Sequence, residues 1–290
     1  MFSSLNDYID QLLEAICVVD KDGRFLQLSA GCERLFGYKI EELLGRSMLE
    51  LLHPDDRERT LQAARDIMAG DHKTDFENRY IRKDGQIVHI QWSARWIPEQ
   101  QVRIAVARDI TKHKMMLNNL QKIAFYDSLT GLPNRELFLD RLQQAIARSR
   151  REPMTNAALI ALMFIDLDKF KVINDSFGHQ AGDQALVSVA QRLQHSVRET
   201  DTVARLGGDE FVILLDGADA CAKAEQIAEK ILHELANPLQ FGADSCVISA
   251  SIGIAYYINL AQNAAEFLHQ ADIAMYQAKN AGGQRFRIAH

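Results

Sequence analysis

The sequence predicts an α+β protein of two domains, and three stretches carry that prediction. Val88, Ile90, Trp92, Ala94 and Trp96 alternate with His89, Gln91, Ser93 and Arg95, which is the period-two pattern of a strand with one buried and one wet face. The run Ala158-Leu159-Ile160-Ala161-Leu162-Met163-Phe164-Ile165 is almost continuously apolar, as in a strand covered on both faces. Gly207-Gly208, ahead of Phe211-Val212-Ile213-Leu214-Leu215, reads as a hairpin whose two-residue turn has positive φ at both glycines. A length of 290 residues suits two domains, and 47% hydrophobic with 25% charged residues is ordinary globular material.

The first domain is expected over residues 1–111. Leu5, Ile9, Leu12, Leu13 and Ile16 recur at helical spacing. A β-hairpin follows, from Ile16-Cys17-Val18-Val19 through Asp20-Lys21-Asp22-Gly23 to Arg24–Leu28. Short helices come next around Cys32–Phe36 and Ile40–Leu44, and Pro54-Asp55-Asp56 opens a longer one with proline and acids in its first turn. Strands are expected over 76–82, 86–96 and 102–108. This order, with Leu35-Phe36-Gly37-Tyr38, His53-Pro54-Asp55-Asp56, Arg82-Lys83-Asp84-Gly85 and Asp109-Ile110-Thr111, resembles a PAS sensory domain. The resemblance implies a five-stranded antiparallel sheet with short helices and a regulatory role. His53, His72 and His89 are the haem-ligand candidates in principle, but His53 stands in a motif common to PAS domains. Cys32 lacks the neighbours of a flavin-linking cysteine, and Trp92 and Trp96 read as core. The ligand of this domain is unknown from sequence.

Residues 112–126 turn helical, with Met116, Leu120 and Ile123, plus Leu117 and Ala124, on one side. Spacings of four and three fit a short parallel coiled coil between two copies of the chain, or a single helix lying on its own domain.

The second domain is expected over 127–290. Helices at 135–149, 169–177, 180–197, 218–236 and 264–281 surround the buried strand, the hairpin and a strand at 246–257, giving α/β material around an antiparallel sheet. Asp166 and Asp168 end the buried strand, and Asp209 and Glu210 sit at the rim of the hairpin. Ionised carboxylates beside buried strands need cationic compensation. Asp166 with Asp209 and Glu210 would supply hard oxygen ligands suited to Mg²⁺ or Mn²⁺ on a polyphosphate. Strict alternation instead chooses Asp168 as the partner of Asp166 and sends Asp209 and Glu210 to opposite faces.

Gly207-Gly208-Asp209-Glu210-Phe211 spells the signature of the GGDEF diguanylate cyclases. Three more motifs of that family appear in its order, at Asp127–Arg135, at Phe164–Lys171 and from Asn174-Asp175 through Gly178-His179 to Gly182-Asp183. The resemblance covers roughly residues 122 to 290 and implies a palm-like, ferredoxin-related fold. It implies two GTP molecules, one per subunit of a homodimer, condensed into cyclic di-GMP with release of pyrophosphate. Asp209 and Glu210 are then catalytic. Asp166, the Leu167 carbonyl, Asp209 and Glu210 are metal ligands, with Asp168 ranked lower. Asn174 and Asp183 read guanine, while Lys279, Lys169 and Phe170 complete the nucleotide site. The family's second phosphate-binding arginine has Gly283 in its place, with Arg285 two residues on. Arg198 and Asp201 match the family's inhibitory R-x-x-D site for cyclic di-GMP, with Lys230 as an auxiliary. A silent receptor for cyclic di-GMP and a metal-dependent phosphohydrolase are the rival readings.

A net charge of −6 argues against nucleic acid as a partner. Cys17, Cys32, Cys221 and Cys246 are widely spaced and read as buried, reduced thiols. No long apolar run and no leader-like start are present, so no membrane insertion is expected and a cytoplasmic protein is.

Overall fold

The computed structural model describes residues 5–12, 14–71, 73–150, 160–217, 219–241, 244–257 and 263–289. Two compact units part between Asn119 and Leu120.

In the first unit, α1 (Leu5–Asp10), β1 (Ala15–Asp20), β2 (Phe25–Leu28), α2 (Ala30–Phe36), α3 (Ile40–Leu43), two 3₁₀ turns (Met48–Glu50 and Pro54–Asp56), α4 (Arg57–Met68), β3 (Lys73–Ile81), β4 (Ile87–Ile97) and β5 (Val102–Asp109) follow in order. The strands form one antiparallel sheet in the order β2-β1-β5-β4-β3. The opening helix is shorter than its periodicity predicts, because Ala15 already begins a strand whose alternate residues Ala15, Cys17 and Val19 are core. Asp20 makes the first hairpin by accepting from the Asp22 and Arg24 amides with one carboxylate oxygen, 2.9 and 2.8 Å away. In β4, Val88, Ile90 and Trp92 are buried as the alternation requires, while Ala94 and Trp96 are only half-buried. Phe25, Phe36, Tyr80 and Trp92 form a chain of tilted ring contacts through the core.

Of the histidines, His53 caps the turn at Pro54 by accepting from the Asp55 amide, and His72 lies outside the described residues. Asp56 is buried and held by Arg79, at 2.9 and 3.0 Å from its guanidinium and 2.7 Å from its amide. The Arg79 bonds hold the Asp56 carboxyl well below the usual carboxylate range.

The connector is α5 (Thr111–Phe125), which has no buried residue. Its first turn is fixed to the first unit by Thr111 Oγ1, which accepts from the His89 amide at 2.9 Å, and by Lys114 Nζ, 2.6 Å from Glu77. Its last turn is fixed to the second unit, where Asn134 Nδ2 donates to the Ala124 carbonyl at 2.8 Å. Met116, Leu120 and Ile123 are exposed, Ile123 by 73%.

In the second unit, α6 (Arg135–Ser149), β6 (Ile160–Asp168), α7 (Phe170–Phe177), α8 (His179–Ser196), β7 (Thr202–Gly207), β8 (Glu210–Asp216), α9 (Ala220–Leu235), β9 (Leu239–Phe241), β10 (Asp244–Cys246), β11 (Ser249–Tyr256), α10 (Ala264–Asn280) and β12 (Arg285–Ile288) follow. The main sheet runs β12-β11-β6-β8-β7. Met163, Ile165, Phe211, Ile213 and Leu215 pack on the α8–α9 face, and Leu162, Phe164, Val212 and Leu214 on the α6–α10 face, so β6 and β8 are apolar on both sides as read.

Three details differ from expectation. Both glycines of the hairpin have positive φ, Gly207 at 147° and Gly208 at 53°, but the turn is Gly208-Asp209. Gly207 still pairs with Glu210, across a bulge after Arg205 that shifts the register. The strand expected over 246–257 breaks after Cys246: β10 pairs only with β9, and β11 starts at Ser249. Finally, β12 adds to β11 in parallel, so the sheet is mixed. Four polar-alternating residues at an edge give too short a pattern to read in advance. Cys17 and Cys32 are buried, Cys221 and Cys246 half-buried, and all four are free thiols.

Candidate active site

The acids meet at the end of the sheet because the strand register puts them there. Asp166 pairs directly with Glu210 of β8 and with Ser251 of β11, and Ser251 in turn with Arg285 of β12. One transverse row therefore reads Arg285, Ser251, Asp166, Glu210. Asp209 stands in the turn beside it, its carbonyl accepting from the Leu167 amide at 3.3 Å. Like charges opposite one another are unfavourable, and burial adds to this. Burial raises the Asp166 carboxyl above its ordinary value, opposed by the Lys279 ammonium. Burial also raises Glu210, with Asp166, Asp209 and Asp272 adding to the effect. Lys279 Nζ, from the last turn of α10, lies 2.6 Å from Asp166 Oδ1.

Asp168 is spent. Its oxygens accept from Ser249 Oγ (2.8 Å), Ser251 Oγ (2.7 Å) and the Gln284 amide (2.9 Å), so it is a structural anchor for β11 and the segment before β12. Gly283 sits against that carboxylate at φ 71°, and a Cβ on it would come within 2.8 Å of Asp168 Oδ2. That is why no side chain stands there. Arg285 is exposed and donates from Nε to the Gly283 carbonyl at 2.9 Å.

Among the described residues, no three His, Cys, Asp or Glu side chains converge as a metal-binding group. The expected set of Asp166, Asp209 and Glu210 is therefore adjacent without being closed, and the Lys279 ammonium neutralises its buried member. The donor chemistry still fits a divalent cation. The oxygens are hard, they carry excess negative charge, and a cation already rests on Asp166.

Asn174 of α7 lies against Gly182 of α8, the residue before Asp183: Asn174 Oδ1 is 1.9 Å from where a Cβ of Gly182 would be, so a side chain there would push the Asn174 amide from its present position. Lys169, at φ 58°, is the left-handed residue that turns β6 into α7, and Phe170 packs on the core next to Gly182.

A clamp holds the acidic turn. Arg205 Nη1 contacts both Asp127 oxygens at 2.9 and 3.1 Å, while its Nε and Nη2 donate to the Gly208 carbonyl at 2.9 and 2.7 Å. The Arg205 amide also donates to the Pro133 carbonyl at 3.0 Å. Asp127 and Gly182 stand in motifs legible in the sequence, but the Asp127–Arg205 pairing and the Gly182–Asn174 approach are not. Ser249 and Ser251 were missed for the same reason, since each acts across elements distant in sequence.

Arg198 and Asp201 lie at the turn between α8 and β7, the Arg198 amide donating to Asp201 Oδ2 at 3.0 Å. The Arg198 guanidinium is engaged elsewhere, on the two Asp219 oxygens at 3.1 and 2.7 Å, and Lys223 also contacts Asp219. These bonds, Arg198 first, hold the Asp219 carboxyl well below the usual range. Lys230 Nζ donates to the His195 carbonyl at 3.0 Å, one turn from Arg198.

Comparison with known proteins agrees with this geometry. Residues 124–285 match the diguanylate cyclase GGDEF domain, and residues 25–106 match the PAS fold. The diguanylate cyclase TpbB of Pseudomonas aeruginosa is 44% identical over 167 residues, 57% of this chain and 38% of TpbB. The probable diguanylate cyclase DgcE of Escherichia coli is 30% identical over 294 residues, covering 97% of this chain and 26% of DgcE. The chain thus spans well under half the length of these relatives. Among solved structures, the GGDEF domain of TpbB is similar at a TM-score of 0.52 with 43% identity, covering 57% of this chain and 94% of that one. The coiled coil and GGDEF domain of DgcB from Caulobacter crescentus, in complex with c-di-GMP, is similar at a TM-score of 0.56 with 28% identity, covering 62% and 93%. No helix among the described residues is long and apolar enough to cross a membrane. With more than half of its length matched by one family, and the acids of that family's signature paired across β6 and β8, the chain belongs to the GGDEF diguanylate cyclases and carries a PAS fold ahead of that domain.

Proposed function

We infer that the protein condenses two GTP molecules into cyclic di-GMP and two pyrophosphates, one GTP on each subunit of a homodimer. The observation that supports this most is the Asp166–Glu210 cross-strand pair with Lys279 at 2.6 Å from Asp166. Two carboxylates and the Lys279 ammonium stand at a single sheet end. Asp166, Glu210, Asp209 and the Leu167 carbonyl would hold Mg²⁺ or Mn²⁺. When bound, that ion neutralises phosphate charge and supports in-line displacement at phosphorus. Lys279 swings from Asp166 to the triphosphate. Asp209, in the turn, would accept the proton of the attacking 3′-hydroxyl. Asp183 and Asn174 read the N1-H and N2-H₂ edge of guanine, a match that adenine would leave unmet. The exposed apolar side of α5 supports pairing with a second copy, and the PAS unit would set how the two half-sites meet.

Arg198 and Asp201, with Lys230 near, form the inhibitory product site. Incubation with GTP and Mg²⁺, followed by chromatography of products, tests the reading. Cyclic di-GMP supports it, GDP or GMP would indicate a phosphohydrolase, and no turnover would leave a receptor.

A further inference from the structure

Arg285 shares the sheet end with the acids. It lies in one transverse row with Ser251 and Asp166, and residues directly opposite one another across a sheet project from the same face. That face is the one covered by α6 and α10. Phe164, two residues before Asp166, packs there, while Phe286 and Ile288 alternate with Arg285 and Arg287 and turn to the other side. The helix rests directly on the sheet, since a Cβ on Gly253 of β11 would come within 1.9 Å of the Ala271 carbonyl oxygen. Its last turn carries Lys279, and the chain then doubles back to set the Arg285 guanidinium against that same helix end.

The doubling back is an unusual piece of backbone. Gly282, Gly283 and Gln284 all have positive φ, at 111°, 71° and 49°, and a glutamine is uncommon at such an angle. Asp168 holds the Gln284 amide at 2.9 Å. Arg285 Nε then donates to the Gly283 carbonyl at 2.9 Å, and Nη2 lies 3.6 Å from where a Cβ of Gly282 would be. Among the described residues neither Nη1 nor Nη2 has a hydrogen bond, and no carboxylate pairs with this guanidinium.

A guanidinium anchored at Nε presents Nη1 and Nη2 as a fork, the geometry that takes two oxygens of one phosphate group. The anchor also reduces the freedom lost on binding. A triphosphate carries more negative charge than one divalent ion and the Lys279 ammonium offset, so a further cation on this face has work to do. A purely structural arginine would complement the C-terminal dipole of α10, a role that lysine fills equally and that needs no free fork.

We propose that Arg285 is a second phosphate-binding residue of this site, Nη1 and Nη2 on the β- and γ-phosphates of the nucleotide while Nε stays on the Gly283 carbonyl. This rests on the GTP reading and names the group that holds the outer phosphates.

The test uses the full chain with Mg²⁺ and 3′-deoxy-GTP, which lacks the attacking hydroxyl and so binds without turnover, read by isothermal titration. 3′-Deoxy-GMP, with its single phosphate, is the comparison. Arg285→Gln is expected to weaken 3′-deoxy-GTP about tenfold, as for lost charge-assisted hydrogen bonds, and to leave 3′-deoxy-GMP unchanged. Arg285→Lys should recover only part of that loss, although it restores the charge at the helix end. Arg287→Gln removes the same charge from the row of Gly253, farther from the acids, and should bind as the wild type does. Unchanged 3′-deoxy-GTP affinity in Arg285→Gln, an equal loss for 3′-deoxy-GMP, full recovery with lysine, or an equal loss in Arg287→Gln would each overturn the proposal and leave the GTP reading standing. A wild-type chain that binds no 3′-deoxy-GTP would overturn both.

Discussion

Lys279 Nζ lies 2.6 Å from Asp166 Oδ1 across the end of the sheet, so the residue proposed to neutralise the triphosphate is already neutralising the carboxylate that would hold the metal. The pair is exposed on the lysine side and buried on the aspartate side. Replacing Lys279 by methionine should therefore have two effects. GTP should bind more weakly, raising KM about tenfold for one lost charge-assisted contact, and Mg²⁺ should bind Asp166 with less competition. Steady-state pyrophosphate release across GTP and Mg²⁺ concentrations separates these. A KM that does not move would remove Lys279 from the phosphate site.

Asp219 competes for the arginine of the proposed inhibitory site. Because Arg198 Nη1 and Nη2 both lie on Asp219, cyclic di-GMP bound there would have to displace it. Asp219→Asn should tighten product binding by a few-fold, given that exposed ion pairs are worth about 0.2–1 kcal/mol. Arg198→Ala should abolish it. Isothermal titration of cyclic di-GMP against the three proteins checks the order.

Gly283 cannot carry the arginine that usually stands in its place in the family. Its φ of 71° and the 2.8 Å approach to Asp168 mean that even Gly283→Ala should cost about 1–2 kcal/mol of stability. Gly283→Arg should destabilise further without lowering KM for GTP. Urea unfolding and kinetics together test this; a stable, tighter-binding arginine variant would refute it.

The PAS unit should lose stability in acid through Asp56. Its folded-state pKa is depressed, chiefly by Arg79, so the stabilisation is fully present above the ordinary aspartate value and drains away as pH falls below it toward the depressed one. Asp56→Asn should lower stability at neutral pH by about 2 kcal/mol, since Arg79 is partly exposed and keeps some hydration. The variant should also flatten the acid limb of a Tm-against-pH curve between pH 4 and the depressed value.

Glutamates on the exposed side of α5 should uncouple the copies. Leu120→Glu with Ile123→Glu is expected to leave Tm nearly unchanged, both side chains being open to solvent, while light scattering reports a monomer and turnover falls by at least tenfold. A dimer that survives the pair of charges would place the interface elsewhere.

Much of this was legible in the chain, and the pattern of what was not is physical. The buried strand of β6, the glycine reversal and the alternation in β4 are local signals, and each gave its element. In the sequence only the resemblance ranks Asp168 below Asp166; the bonds it accepts from Ser249, Ser251 and the Gln284 amide are not visible there. Those partners lie more than eighty residues away, beyond any local period. Arg103 hid for the opposite reason: an arginine on a strand is normally read as wet, and only burial shows that β5 turns it inward.

The clamp at Arg205 bears on where this protein can be cut. A chain shortened to begin at Arg135 would retain nearly every side chain of both sheet faces, losing only Leu132 among the buried core residues around β6 and β8. It would also lose Asp127 and Pro133, so the guanidinium that grips the Gly208 carbonyl would have no anchor behind it. Such a fragment would fold, yet its acidic loop would be left to drift, a sound scaffold with a loosened tool.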